Sequence, residues 1–308
     1  MKLNAKVMFV VSKSTGFVAL CSFFRAMKNT NLTVLILDDN NDIRSCFNEF
    51  KSFCHNNEIP FLVAKGKECL NNAIEKFTPD SVFVCGWYWI IDENVLNKIP
   101  KGIFGIHNSL LPKYRGHAPL VWSMLNGDET VGASLFQIEE GMDTGKIYHQ
   151  WISQRENKYI GDVIACIELS IESGFGEIFN SIINGALEGK KQNNNNASFS
   201  SKRREADGLI EWNSEASDII LKIKALSSPY PNSFMYIGDE KVILKKAEDF
   251  EYEVYGVPGQ VVFVCNNYAV VCCANKKAVK ITEAVGINNE NRLAILFSRL
   301  SSPVNFFE

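Results

Sequence analysis

Short apolar runs alternate with amphipathic stretches over the first hundred residues of the chain. The runs predict strands at residues 7–11, 32–37, 60–64, 81–85 and 102–106. The stretches between them predict helices at about 17–28, 42–56 and 68–77, with Asp42 as the N-cap of the second. Buried strands that alternate with helices are typical of a parallel sheet covered on both faces. Such a sheet binds ligands at the carboxyl ends of its strands.

The pattern changes in the second half of the chain. Residues 131–139 and 146–154 predict two further strands, and 163–187 predicts a long helix. The polar stretch 189–201, with four consecutive asparagines, predicts a loose linker. A helix is predicted over 214–226 and a final one over 292–300. Five short strands between turn residues predict a small antiparallel barrel or sandwich, and they cover 234–237, 242–245, 259–265, 269–274 and 278–281. The order of elements predicts two domains, 1–189 and 207–308, with a linker at 190–206.

Composition fits this organisation. The chain has 308 residues, of which 46% are apolar and 22% charged, as in ordinary globular proteins. Its longest apolar runs are far shorter than the ~18 residues of a membrane-spanning helix, and the run after Lys6 is too short for a signal-peptide core. We therefore expect a cytoplasmic protein that does not act in a membrane. The nine cysteines lack metal-type spacing, which favours reduced, buried thiols and no metal site.

Charge and the first turn argue against two classes of ligand. The net charge is −3, from 32 Lys plus Arg and 35 Asp plus Glu, so the chain as a whole has no excess of positive charge for a nucleic-acid backbone. Residues 12–16, after the first strand, lack the G-x-G-x-x-G pattern that marks ordinary dinucleotide binding.

The densest group of candidate residues follows the strand at 102–106. His107 ends this strand, and Asn108, Ser109 and Arg115 follow it on a loop shaped by a proline and a glycine. Imidazole exchanges protons near pH 7, and a guanidinium can hold a phosphate or carboxylate with two hydrogen bonds. The alternative is a structural histidine and a solvated arginine.

A second candidate loop carries Asp143 between Gly141 and Gly145. An acidic residue close to His107 could orient the imidazole and stabilise its charged form. The alternative is an ordinary turn residue.

The two loops together resemble a known family. The chain reads His-x-Ser-Leu-Leu-Pro-x-Tyr-Arg-Gly from residue 107, and Asp-Thr-Gly from residue 143. This resembles the folate-dependent formyltransferase superfamily, which includes methionyl-tRNA formyltransferase and the sugar N-formyltransferases. Residues 79–91 resemble the strand and loop that shape its folate pocket. Residues 207–212 and 228–231 resemble the segments that lead into its small, OB-like second domain.

The resemblance implies a Rossmann-like catalytic domain followed by an OB-like β-barrel. It also implies that His107 and Asp143 act on the formyl group of N10-formyltetrahydrofolate. The family's third catalytic residue, an asparagine two positions before the histidine, is replaced by Gly105. Asn108 could take its place only if the strand ends at His107, because neighbouring strand residues face opposite sides.

The same resemblance assigns the binding residues. For the folate they are Gly86, Trp87, Tyr88, Ser109, Leu110 and Gly141. For the acceptor they are Lys113, Tyr114, Arg115, Arg204 and Trp212. Trp87 and Tyr88 either line the pocket or belong to the core, and Arg204 either contacts a nucleotide diphosphate or is solvated. The resemblance implies no metal, and it leaves open whether two copies form a homodimer.

Four functions remain open at the level of the sequence. They are formylation of a nucleotide-linked amino sugar for a surface polysaccharide such as lipopolysaccharide O-antigen, formylation of methionyl-tRNA, hydrolysis of the formyl donor, and ligand binding without catalysis. From residue 202 onward the chain carries 13 Lys plus Arg against 14 Asp plus Glu, whereas a domain that grips tRNA should be clearly positive. We therefore interpret the chain as a sugar N-formyltransferase.

Overall fold

The structure is a computed structural model that describes residues 5–27, 30–265 and 267–286. The helix predicted at 292–300 lies outside the described residues. The chain divides into two compact units. The first comprises Met1–Leu120, Thr130–Gln154 and Ile164–Ser201, and the second comprises Val121–Glu129, Arg155–Val163 and Lys202–Glu308.

The elements of the described residues are named here in chain order. The helices are α1 Lys13–Ala26, α2 Phe47–Asn56, α3 Glu68–Phe77, α4 Glu93–Leu96, α5 Pro119–Leu125, α6 Ile160–Ile183 and α7 Ala216–Leu226. The strands are β1 Lys6–Val11, β2 Asn31–Leu37, β3 Phe61–Ala64, β4 Ser81–Cys85, β5 Ile103–His107, β6 Arg115–Gly116, β7 Thr130–Gln137, β8 Ile147–Gln154, β9 Phe199–Ser200, β10 Ser233–Ile237, β11 Glu240–Asp249, β12 Val261–Val264, β13 Ala269–Cys272 and β14 Ala278–Val285.

The first unit is built on a seven-stranded sheet with the order β3-β2-β1-β4-β5-β7-β8. The first five strands in this order run parallel, and β7 and β8 run antiparallel to their neighbours. Strands β1, β2 and β4 are buried along almost their whole length, which explains why they read as continuous apolar runs. The Rossmann-like sheet predicted from the sequence is confirmed.

Aromatic packing fills one face of this sheet. Phe9 of β1 and Phe83 of β4 lie with ring centroids 5.0 Å apart. Phe175 and Phe179 of α6 stack on each other and pack against these two rings in tilted and edge-to-face contacts. All four side chains are fully buried. Removing one such ring leaves a cavity and costs about 3–5 kcal/mol, so this cluster fixes the sheet that carries the loops.

The second unit contains a five-stranded antiparallel sheet with the order β10-β11-β14-β13-β12. Helix α7 places Ile219 and Ile223 against the apolar face of this sheet, together with Val242, Leu244 and Ile281. The separate C-terminal β domain is therefore also as predicted.

Three predicted helices have shifted boundaries. Helix α1 runs over Lys13–Ala26, so it begins before the predicted residue 17. Helix α2 begins at Phe47, and Asp42 is not its N-cap. Asp42 instead accepts hydrogen bonds from the backbone and guanidinium of Arg44, which hold the pKa of its carboxyl well below its usual range. Helix α6 runs over Ile160–Ile183 and ends earlier than the periodicity predicted.

Residues 190–200 differ most from the sequence prediction, and we call them the strap. They belong to the first unit and are not a free linker. Lys190 pairs with Ile147 of β8, and β9 pairs with β6 in parallel register. Ser198 accepts hydrogen bonds from the backbone of residues 114 and 115, through its hydroxyl and its carbonyl oxygen. The polar composition that predicted a loose linker therefore belongs to a segment that is hydrogen-bonded to β8, to the Asp143 loop and to the loop after β5.

Candidate functional site

His107 ends strand β5, and both of its ring nitrogens face oxygen atoms. The residue is 9% exposed. Its Nε2 lies 2.8 Å from the carbonyl oxygen of Tyr114, and its Nδ1 lies 3.6 Å from Oδ2 of Asp143. Because a carbonyl oxygen only accepts, Nε2 carries the hydrogen, and Nδ1 of the neutral ring holds the lone pair. The 3.6 Å separation is longer than a hydrogen bond, so Nδ1 and the carboxylate can both accept hydrogen bonds from the same ligand group.

Asp143 is held by the backbone of the facing loop. Its Oδ2 accepts a hydrogen bond of 2.8 Å from the amide of Gly116. Gly116 has φ of +108°, and a Cβ there would lie 2.6 Å from the carbonyl oxygen of Ser200, so only glycine fits. Tyr114 and Asp143 themselves have φ of +58° and +51°. Left-handed backbone at non-glycine residues is strained, and such strain concentrates at functional sites.

The loop after β5 is anchored by a buried serine and a half-buried glutamine that the sequence analysis missed. Ser134 of β7 donates to the carbonyl oxygen of Ser109 and accepts from the amide of Leu111. Gln150 of β8 donates to both Ser134 Oγ and the carbonyl oxygen of Leu111. Since Ser134 pairs with His107 and Gln150 with Ser134 across the strands, the three residues form one row. This row fixes where the loop leaves the sheet.

The remaining predicted residues of this loop differ in what they offer a ligand. Asn108 is half-buried, and its side chain makes no hydrogen bond within the part of the chain that the structure describes. Ser109 is buried and donates to the carbonyl oxygen of Lys113, so its hydroxyl shapes the loop. Leu110 is half-buried, and the Lys113 side chain is exposed.

The sequence predicted an exposed guanidinium at Arg115, but the side chain faces inward. It is 3% exposed, and its guanidinium donates to Oε1 of Gln192 and Oδ1 of Asn194. A guanidinium turned inward and bonded to amide oxygens holds protein segments together. The expectation that it grips a phosphate or carboxylate of the acceptor is therefore corrected.

Gly105 leaves little space for the missing asparagine. A Cβ at this position would lie 3.1 Å from both Cδ1 of Ile138 and the carbonyl oxygen of Val84. A side chain at 105 would therefore require Ile138 to shift and would lie tightly against the backbone of β4. Strand β5 ends at His107, which meets the condition for Asn108 to serve instead.

The predicted folate residues after β4 lie at the same edge of the sheet as His107, because β4 pairs with β5 through Val84 and Gly105. Gly86 has φ of +84° and turns the chain there. Trp87 packs edge-to-face on Trp89 at 4.8 Å, and Tyr88 is 54% exposed. The Trp87 indole nitrogen is buried and has no hydrogen-bond partner in the described residues. A buried donor without an acceptor costs about 1–3 kcal/mol, so a ligand oxygen there would be stabilising.

The other predicted site residues lie apart from this group along the chain. Gly141 belongs to the Asp143 loop, where a Cβ would collide with Thr144. Arg204 and Trp212 belong to the second unit. Arg204 is exposed, and Trp212 packs partly buried against the core of that unit. Their assignment to the acceptor stays a prediction.

Metal and thiol chemistry find no support in the geometry. Within residues 5–27, 30–265 and 267–286, no group of three or more His, Cys, Asp or Glu side chains is placed to hold a metal ion. None of the nine cysteines, all of which lie within the described residues, forms a disulfide, and burial raises the pKa of the Cys85 thiol to about 12. No helix in the described ranges is long and apolar enough to span a membrane.

Comparison with protein families gives two matches along the chain. Residues 2–154 match the family model described as formyl transferase, and residues 202–292 match the model described as formyl transferase, C-terminal domain.

Individual relatives agree with these matches. The chain is 29% identical over 286 residues to the bifunctional polymyxin resistance protein ArnA of Wigglesworthia glossinidia brevipalpis, covering 91% of this chain and 42% of that protein. The chain thus spans less than half the length of this relative. An N-formyltransferase from Helicobacter canadensis, solved with folinic acid and dTDP-3-aminofucose, superposes with a TM-score of 0.68 at 19% identity, covering 90% and 99% of the two chains. The sugar 3N-formyl transferase WlaRD, solved in the presence of dTDP and 5-N-formyl-THF, gives 0.66 at 19% identity, covering 93% and 99%. These likenesses in structure show a shared fold.

Proposed function

The chain belongs to the formyl transferase family, and from this premise we propose that it transfers the formyl group of N10-formyltetrahydrofolate to the amine of a nucleotide-linked amino sugar. The observation that carries the proposal is the His107–Asp143 pair at the carboxyl end of β5, beside the aromatic loop that follows β4. Two structural relatives, one bound to dTDP-3-aminofucose and one to dTDP, support the class of acceptor.

The geometry of the pair suggests how the amine is activated. The amine nitrogen bonds to the formyl carbon, negative charge grows on the formyl oxygen, and the bond to the folate nitrogen breaks. His107 Nδ1 holds the lone pair and takes the proton that the amine loses, while Tyr114 keeps the ring in place through Nε2. The Asp143 carboxylate beside Nδ1 stabilises the resulting imidazolium. The proton then passes to the folate nitrogen as it leaves.

The formyl oxygen needs a donor as its charge grows, and Gly105 cannot supply one. Two side-chain donors without a partner in the described residues lie near this edge, the amide of Asn108 and the indole N–H of Trp87. An aromatic loop with an unpaired N–H also fits a folate ring better than a purely apolar wall does. We assign the oxyanion to Asn108, because the chain leaves the strand at His107 and the next side chain is free.

Product analysis tests the proposal directly. The protein is incubated with N10-formyltetrahydrofolate and a panel of nucleotide-linked 3-amino and 4-amino sugars, and mass spectrometry detects formylated sugar. We expect one amine position and one nucleotide to be preferred. If no sugar is formylated while folate or a nucleotide sugar binds, the chain is a binding protein without catalysis, and Gly105 is the simplest explanation.

The pathway is a finer part of the same proposal. A formylated nucleotide sugar is an activated building block, so the enzyme acts in the cytoplasm ahead of a glycosyl transfer into a surface polysaccharide such as O-antigen. The identity of the preferred sugar in the panel decides this assignment.

Transfer RNA is expected not to bind tightly. The chain from residue 202 onward has no excess of positive charge, with 13 Lys plus Arg against 14 Asp plus Glu. Affinity for a nucleic-acid backbone depends on such an excess and falls with salt. Gel-shift titration with initiator tRNA at moderate salt should give no complex at submicromolar protein. A tight complex that weakens steeply with salt would instead favour methionyl-tRNA as the acceptor.

Asn108→Ala is expected to lower kcat and kcat/KM together by about 10²-fold, as for loss of an oxyanion donor. Gly105→Asn alone should destabilise the protein by about 1–3 kcal/mol, because its Cβ meets Ile138. Combined with Ile138→Ala, it gains space and should restore part of the kcat that Asn108→Ala loses. An unchanged kcat in Asn108→Ala would remove Asn108 from the mechanism and leave the indole N–H as the donor to test, through Trp87→Phe.

A further inference from the structure

Gln192 of the strap is buried between the two loops that form the site. We propose that Gln192 is a positioning residue, which sets the place of the Asp143 carboxylate against His107 by clamping the Asp143 loop to the Arg115 segment. The expected effect on kcat rests on the proposed formyl transfer. The effect of Gln192 on the position of Asp143 against His107 can be tested without any substrate.

All four hydrogen-bonding sites of the Gln192 side chain are used. Its Oε1 accepts from Nε and from one terminal nitrogen of Arg115, at 3.1 and 2.7 Å. Its Nε2 donates to the carbonyl oxygens of Asp143 and Gly145, at 2.7 and 2.8 Å. A carboxamide has two acceptor positions and two donor hydrogens, so the residue is saturated. At 8% exposure it has little contact with water, which makes these four contacts its whole environment.

The contacts close a ring around the catalytic pair. Arg115 lies between Tyr114, whose carbonyl oxygen holds His107 Nε2, and Gly116, whose amide holds Asp143 Oδ2. Gln192 joins the side chain of Arg115 to the main chain of Asp143. A shift of either loop therefore changes both partners of His107. The ring is the device that keeps Nδ1 and the carboxylate 3.6 Å apart.

Asp143 needs such a clamp because its backbone is strained. Its φ of +51° lies in the left-handed region, which is unfavourable for most residues with a side chain. Gln192 holds the main-chain carbonyl of this residue, and Gly116 holds its side chain. Substrate-positioning groups displaced by about 1 Å can cost 10²-fold in rate, so loss of the clamp should be visible in turnover.

Kinetics supply the first arm of the test. Gln192→Ala is expected to lower kcat about 10-fold to 100-fold, with the KM values for folate and amino sugar within about twofold of the unmodified protein. Asn194→Ala is the matched control, because Asn194 also lies on the strap and accepts from Arg115 but does not touch the Asp143 loop. We expect its kcat within about threefold. In an Asp143→Asn background, Gln192→Ala should add less than about twofold, because the group that it positions is already lost.

A substrate-free spectrum supplies the second arm. The protein has four histidines, so isotope-labelled imidazole gives few signals, and the spectrum of His107→Gln identifies that of His107. Gln192→Ala and Asp143→Asn should each displace the His107 ring resonances, whereas Asn194→Ala should leave them in place. Gln192→Glu keeps the size of the side chain and its contact with Arg115 but loses both donors, so it should displace them as well. It replaces the alanine variant if that does not fold.

The outcomes separate this inference from the proposed function. The clamp is overturned if the His107 ring resonances stay in place in folded Gln192→Ala and Gln192→Glu. It is also overturned if Gln192→Ala lowers kcat by the same factor in the unmodified protein and in the Asp143→Asn background. If the unmodified protein transfers no formyl group at all, the proposed function fails, while the spectrum still decides the role of Gln192.

Discussion

His107→Ala is expected to lower kcat for formyl transfer by about 10³-fold while the protein stays folded. Proton transfer by a positioned side chain contributes about 10²–10⁴-fold to enzymatic rates. His107 is the imidazole that ends β5 with a carboxylate beside Nδ1 and a carbonyl oxygen on Nε2. Because its ring is removed without touching the folate loop after β4, KM for the folate should change little. Initial rates by mass spectrometry, at saturating folate and amino sugar, measure the effect.

His149→Ala is the control for this variant. His149 lies on β8 with its ring 4.9 Å from that of Trp151, and burial lowers the pKa of its imidazole. It belongs to no contact of the catalytic pair, so we expect kcat within about twofold. Turnover of His107→Ala close to that of the unmodified protein, with the same thermal unfolding midpoint, would show that the imidazole has no part in the chemistry.

Asp143→Asn is expected to lower kcat by at least about 10²-fold. The amide keeps the size of the side chain and can still accept from Gly116 through its oxygen, so the loop should hold its shape. What is lost is the negative charge beside Nδ1 that stabilises the imidazolium when the amine loses its proton. The loss should therefore appear in kcat and kcat/KM together, with little change in substrate affinity.

A neighbouring acidic residue distinguishes this local effect from a general loss of charge. Glu140 lies three residues before Asp143 and is exposed. Glu140→Gln removes the same charge from the same loop, and we expect kcat within about twofold. Equal losses in Glu140→Gln and Asp143→Asn would mean that the loop acts through its overall charge and not through the contact with His107.

The sheet was predictable because strands that are buried on both faces appear in the sequence as continuous apolar runs. Strands such as β1 and β4 are apolar along almost their whole length. Asp42 shows where such local rules fail. Its carboxylate pairs with Arg44 two residues later, and α2 begins only at Phe47.

The site was predictable in part. His107 was singled out as a histidine at a strand end, but its pairing with Asp143 came from the family motif, since spacing alone does not bring two loops together. Gln192 could not be found, because its contacts join residues 49 and 77 positions away and a buried glutamine beside an asparagine run looks like a linker. Arg115 was misjudged for the same reason, since its partners lie on the strap.

The strap also determines where this chain can be divided. A fragment that ends at residue 189, the boundary suggested by composition, keeps every strand of the large sheet but leaves the guanidinium of Arg115 and the carbonyl oxygen of Asp143 without partners. A fragment that ends at residue 201 retains them. Truncation and domain exchange with relatives should therefore cut after residue 201, because the strap belongs to the first unit although it lies beyond the last long helix of that unit.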